Sequence, residues 1–241
     1  MGTIKDFKKF NPRRYLSEQY KTVVREEEFI LRFLHDAYRA LGRKKLRIIE
    51  VGGGPTVYQL ISASKYAQEI IFTDFLQKNL DEVQAWKQKI PTAFDWRMHM
   101  QYVAALEGAG VEKIEQRLRS ALRRFLLLDI FHTKQILGSE KFDIVSSHFC
   151  VDSITDDRKI FLQAVRALTS LVAPHGALIM SLLKGSTFYD VGDHAFPAYF
   201  LDEREIKKIL KNSGFNTFEI QSIEVEKNGK DNANICLVAR R

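Results

Sequence analysis

The stretch that most constrains the fold is Leu46 to Leu60, which reads LRIIEVGGGPTVYQL. Leu46, Ile48, Ile49 and Val51 make a short apolar run rich in β-branched residues, the pattern of a buried strand. Gly52, Gly53 and Gly54 break the run, Pro55 follows, and helical spacing resumes from Thr56 to Ser64. Strand, glycine turn and helix in succession let a backbone approach a ligand closely at the carboxyl edge of a parallel sheet. A tight turn with no ligand is the competing reading.

The next apolar run, Glu69 to Phe75, carries Asp74 near its end, 22 residues after Gly52. A carboxylate about 20 residues beyond a glycine turn is placed to accept hydrogen bonds from the hydroxyls of a ribose. An Asp that merely caps the following helix would explain the acid but not its register with the glycines.

Around these two strands the chain alternates strand and helix. Arg13 to Tyr20 and Glu26 to Leu41 are expected as helices, the first entered through Asn11-Pro12. Residues 76–125 are long for a crossover and read as a helical insertion: Asn79 to Gln88, Arg97 to Leu106 and Val111 to Arg124. FLLLDIF, closing on Asp129, Lys141 to Val145 and Ala177 to Leu183 supply three more strands, with a helix from Asp157 to Val172 between the last two. A loop, KGSTFYDVGDHAF, then leads to a helix from Asp202 to Asn212. Phe218 to Glu226 and Asn234 to Ala239 flank NGKDNA, a hairpin signature. The expected fold is α/β: a seven-stranded doubly wound, Rossmann-like sheet closed by an antiparallel hairpin, one domain over 1–241 with N-terminal lid helices in 1–44.

Composition narrows the class further. No apolar run approaches a membrane span, and the start of the chain lacks a signal-peptide apolar region, so no membrane partner is expected. Two cysteines, Cys150 and Cys236, sit in apolar surroundings and read as buried free thiols, which places the protein in the cytoplasm. The net charge of +7 would suit a nucleic-acid surface, yet Arg117, Arg119, Arg123 and Arg124 alternate with Leu118, Ala121, Leu122 and Phe125, as on the wet face of a helix. Nucleic acid is therefore not expected as a partner. Oligomeric state is not legible, and a monomer is compatible with the sequence.

Pro55 directly after the glycines, the lack of a glycine at position 57 and the terminal hairpin all argue against NAD. The pattern present is Glu50-x-Gly52-x-Gly54, which resembles the first motif of class I S-adenosylmethionine-dependent methyltransferases. FNPRRYL, GGGPTVYQL, TDFLQKNLDEVQAW and AFDW followed by LEG resemble, over nearly the whole chain, the family of nicotinamide, phenylethanolamine, indolethylamine and thioether methyltransferases. The resemblance implies S-adenosyl-L-methionine as cofactor and transfer of a methyl group to a nitrogen of a small amine or N-heterocycle; the alternatives are S- or O-methylation of a small molecule, and a nucleic-acid methyltransferase or a cofactor-binding protein without catalysis. It implies that Tyr15 and Tyr20 close over the cofactor, and that Glu50, Gly52, Gly53, Gly54, Thr56, Tyr58, Asp74, Phe75, Asn79, Asp129, Ile130 and His148 hold it.

The acceptor side departs from the family. Amine-methylating members carry an acid on the fifth strand, where this chain has Ser181 or Leu182. Asp152, in HFCVDSI, is the acid retained after the fourth strand, and is expected to orient a substrate N–H. His148 is expected to take up a proton, with Tyr189 packing on the acceptor and Asp190, Asp193 or His194 supplying charge. No metal site is expected.

Overall fold

The computed structural model describes residues 6–227 and 230–241. Seven strands form one sheet in the order β3-β2-β1-β4-β5-β9-β8, where β1 is Leu46–Val51, β2 Ala67–Asp74, β3 Leu122–Leu127, β4 Phe142–His148, β5 Val172–Lys184, β8 Thr217–Lys227 and β9 Lys230–Arg240. All neighbours run parallel except β9, which is antiparallel to both β5 and β8. This is the doubly wound sheet with a terminal antiparallel hairpin that the sequence predicts. Asn228 and Gly229, where the sequence predicts the turn, lie outside the described residues.

Period-two alternation sorts the central strand between two cores. Leu46 and Ile48 pack into the cluster on one face, Ile49 and Val51 into the cluster on the other. The first face is covered by α2 (Arg25–Ala40), α4 (Arg97–Glu107) and α5 (Val111–Ala121), the second by α7 (Arg158–Ser170) and α8 (Glu203–Asn212). α1 is Pro12–Gln19, α3 Gln77–Lys87 and α6 Thr133–Leu137. Side-chain caps fix several helix starts: Asn11 accepts from the Arg14 N–H, Asp157 from Ile160 and Asp202 from Glu205.

Four stretches differ from their sequence pattern. Thr56 to Ser64 is not one helix but two single 3₁₀ turns, Tyr58–Leu60 and Ala63–Lys65. Side-chain bonds pull this segment back onto the glycine turn: Thr56 Oγ1 donates to the Gly53 carbonyl at 2.8 Å, and Gln59 Nε2 donates to the same oxygen at 3.1 Å. The helix ending at Arg124 stops at Ala121, so Arg123 and Arg124 lie in β3, at the sheet's edge, where exposed side chains need no apolar alternation. β3 itself ends at Leu127, and Asp129 instead caps the turn that follows, accepting from the Phe131 N–H at 2.9 Å. KGSTFYDVGDHAF is not irregular: it holds a two-stranded antiparallel sheet, β6 (Phe188–Val191) and β7 (His194–Pro197), with Gly192 at φ +60° in its turn.

Candidate active site

β1 and β4 are neighbours in space, and the strand order reverses between them, so their carboxyl ends open a crevice at the switch point. A cavity of about 1320 Å³ fills that crevice. Pockets for one small ligand run roughly 300–1,000 Å³, so this one has room for two.

Its floor is the glycine turn. Gly52 has φ +67°, and a Cβ there would lie 2.1 Å from Cys150 Sγ; a Cβ on Gly53 would lie 2.4 Å from the Phe72 ring. Cys150 and Phe72 therefore leave no room for a side chain at these two positions. Beside it stands Asp74 at the end of β2. Its Oδ2 accepts from the Gly54 N–H at 2.8 Å; its Oδ1 accepts from the Leu76 N–H at 2.8 Å and from Asn79 Nδ2 at 3.0 Å. Burial raises the Asp74 pKa, and these N–H donors oppose that rise. Asn79 Oδ1 is buried with no hydrogen-bond partner among the described residues. A buried acceptor without a donor is costly unless a ligand supplies one. Asp129, Ile130 and Phe75 continue the wall.

Overhead, Tyr15 and Tyr20 meet hydroxyl to hydroxyl at 3.2 Å, and the Tyr20 ring packs 5.1 Å from that of Tyr58. Burial raises the pKa of all three phenols, those of Tyr20 and Tyr58 well above the usual range, so they stand neutral. Tyr189 of β6 lies on the same side, packed on Phe196 at 5.4 Å.

Thus Tyr15, Tyr20, Gly52, Gly53, Gly54, Thr56, Tyr58, Asp74, Phe75, Asn79, Asp129, Ile130, His148, Tyr189 and Asp190 all border one cavity. Four residues named from the sequence do not. Glu50 is fully buried under the glycine turn, where Gln59 Nε2 reaches its Oε1 at 3.3 Å; burial lifts its pKa to about 8. It supports the turn from below and touches no ligand space. Asp152 is likewise fully buried, behind the wall: its Oδ2 accepts from the Leu183 N–H at 2.7 Å, its carbonyl from the Tyr199 N–H at 2.7 Å, and burial raises its pKa to about 7. That contact ties the turn after β4 to β5, while its Oδ1 is buried with no hydrogen-bond partner among the described residues. His194 is exposed on β7, and Asp193 is bound to Arg14, so neither lends charge to the cavity.

His148 borders the cavity, but not as a base. Ser146 Oγ lies 3.0 Å from its Nε2 and Ser181 Oγ 2.8 Å from its Nδ1, and burial lowers its pKa to about 3. Both ring nitrogens are turned into the sheet, and a neutral carbon edge is left for the ligand. Ser181 stands at the fifth-strand position that lacks an acid, and its hydroxyl is the partner of this imidazole.

Several wall residues carry no sequence motif. Phe149 adopts φ +50°, a left-handed conformation rare for a bulky residue, just past β4. Gln163 comes from α7 and Asn234 from β9, where it pairs with Leu183. These reach the cavity only through the strand order, which local spacing does not reveal.

The doubly wound sheet, its antiparallel last strand and the glycine-floored cavity at the switch point define a class I S-adenosylmethionine-dependent methyltransferase. The chain belongs to the NNMT/PNMT/TEMT family, whose family model matches residues 1–241. It is 34% identical to human nicotinamide N-methyltransferase over 96% of this chain and 93% of that protein. It is 29% identical to human phenylethanolamine N-methyltransferase, over 90% and 81%. Among solved structures, magnesium protoporphyrin IX methyltransferase from Synechocystis PCC 6803 with bound SAM superposes with a TM-score of 0.62 at 15% identity, covering 98% of this chain and 94% of that one. That last likeness is one of fold.

Proposed function

We propose that this protein transfers a methyl group from S-adenosyl-L-methionine to a nitrogen of a small-molecule amine or N-heterocycle. The observation that carries this reading is the single roofed cavity, which has the glycine turn, Asp74 and Asn79 at one side and Tyr189 with Phe149 at the other. The relatives named above methylate nitrogen, in nicotinamide and phenylethanolamine.

Bound S-adenosylmethionine supplies a sulfonium methyl open to in-line attack by a lone pair. Positioning is then the protein's main contribution, and alignment of reactants is worth roughly 7–11 kcal/mol in favourable cases. Asp74 and Asn79 would hold ribose hydroxyls, the Gly52–Gly54 backbone would pass under the sugar and amino-acid portion, and Asp129 with Ile130 would border the adenine. Tyr15 and Tyr20 would exclude water. Phe149 and Tyr189 would bracket the acceptor, and the neutral edge of His148 would limit it from below. Neither His148 nor Asp152 is placed to take the acceptor's proton, so an acceptor that enters unprotonated needs no base in the wall.

We place the protein in the cytoplasm on its two free cysteines, and expect no nucleic-acid partner. No helix among the described residues is long and apolar enough to cross a membrane. The test is turnover of a panel of small amines, N-heterocycles, thiols and phenols with labelled cofactor. N-methylated product is expected; product on sulfur or oxygen alone, or activity only on nucleic acid, overturns the assignment.

A further inference from the structure

The roof of the cavity is assembled from distant parts of the chain. α1 brings Tyr15, and the β6–β7 hairpin brings Tyr189. Between them lies a small apolar cluster in which Phe10 meets Phe196 edge-on at 5.9 Å. On the outer side of this seam sits Arg14, the neighbour of Tyr15. Its Nη1 and Nη2 donate to the two carboxylate oxygens of Asp193 at 3.0 and 3.1 Å, and its Nε donates to Glu18 at 2.7 Å. The other oxygen of Glu18 accepts the Gly192 N–H at 3.0 Å. A Cβ on Gly192 would lie 2.4 Å from the Arg14 guanidinium, so the glycine in the hairpin turn is what lets the arginine seat. About 100° round the same turn of α1, Arg13 is paired with Glu82 of α3. The first turn of the helix is thus held on two faces.

We propose that Arg14 is a positioning residue, a latch that holds α1 against the β6–β7 hairpin and so keeps Tyr15 and Tyr189 closed over both halves of the cavity. The fork-to-carboxylate geometry gives the latch direction. Its exposure, 45% for Arg14 and 85% for Asp193, leaves it open to screening by salt and makes it releasable. Because one roof spans both ligand sites, a single opening governs entry and release of either. This last consequence rests on the reading of the cavity given above; the latch itself does not.

The test uses the full chain and the variants Arg14→Ala, Asp193→Asn and the double substitution. Hydrogen exchange of the ligand-free protein reports the latch directly. Amides of 12–20 and of 188–197 should exchange faster together, by about 3–10-fold at low salt, in each single variant. The double variant should be no worse than Arg14→Ala, since that substitution has already broken the bond to Asp193. The difference should shrink to within about 2-fold near 1 M salt, and the reversed pair Arg14→Glu/Asp193→Arg should restore part of the protection. Dissociation of S-adenosylhomocysteine should accelerate by a similar factor. Unchanged exchange at 188–197 in Arg14→Ala, or additive losses in the double variant, overturns the latch. If the wild-type protein fails to bind S-adenosylhomocysteine, the cofactor reading falls while the exchange data still decide the latch.

Discussion

Glu50→Gln should make this protein more stable at alkaline pH and leave it almost unchanged at acid pH. Glu50 is wholly buried, one carboxylate oxygen meets Gln59 Nε2, and the other has no partner among the described residues. Burial dominates, lifting the pKa from 4.5 to about 8. The folded state thus holds the proton more tightly than the unfolded chain does. Below pH 4.5 both states are protonated and the full stability is present. As pH rises towards 8 the unfolded chain ionises freely while the folded one resists, and stability is lost across that window. At about 1.4 kcal/mol per pKa unit, the whole loss is on the order of 5 kcal/mol, of which about 3 kcal/mol falls between roughly pH 5.5 and 8. Glutamine copies the protonated shape and cannot ionise. Urea melts of wild type and Glu50→Gln over this range isolate the effect, because every other titrating group cancels. Parallel stability curves would show that the carboxyl is not carried neutral under the glycine turn.

Two further outcomes follow from the same neighbourhood. Gly52→Ala should cost about 2–4 kcal/mol, from a left-handed backbone and a collision with Cys150; adding Cys150→Gly should recover the collision part in a thermal melt, and strict additivity would refute the contact. The pH profile of kcat/KM should contain no limb belonging to His148, so His148→Ala should change its height but not its shape; loss of an ionisation near pH 6–7 in the variant would restore the imidazole as a base.

What local sequence could say here was bounded by how far each feature depends on its neighbours. β1, the glycine turn and Asp74 were legible because strand periodicity and glycine spacing are short-range, and the alternation of elements with a closing hairpin fixed the sheet. An acid beside a motif reads as a ligand, and only packing shows that Glu50 lies beneath the glycine turn against Gln59 and that one oxygen of Asp152 is taken by the Leu183 N–H. His148 looked like a base because its two serine partners lie two residues away and on the adjacent strand β5. The β6–β7 hairpin was hidden because four-residue strands around Gly192 carry too little alternation to separate from a loop. Gln163 and Asn234 depend on strand order alone.

β3 is an outer strand of the sheet. The sheet ends there with backbone N–H and C=O groups facing outward, and Leu127 beside them is 52% exposed. Such a border is a template on which another chain can add a strand. Arg123, exposed on that strand, opposes it by like-charge repulsion between approaching copies, while Arg124 beside it is paired with Glu140 at 3.5 Å. Part of the +7 charge, which at first suggests a polyanion, thus serves as a guard against self-assembly into ribbons.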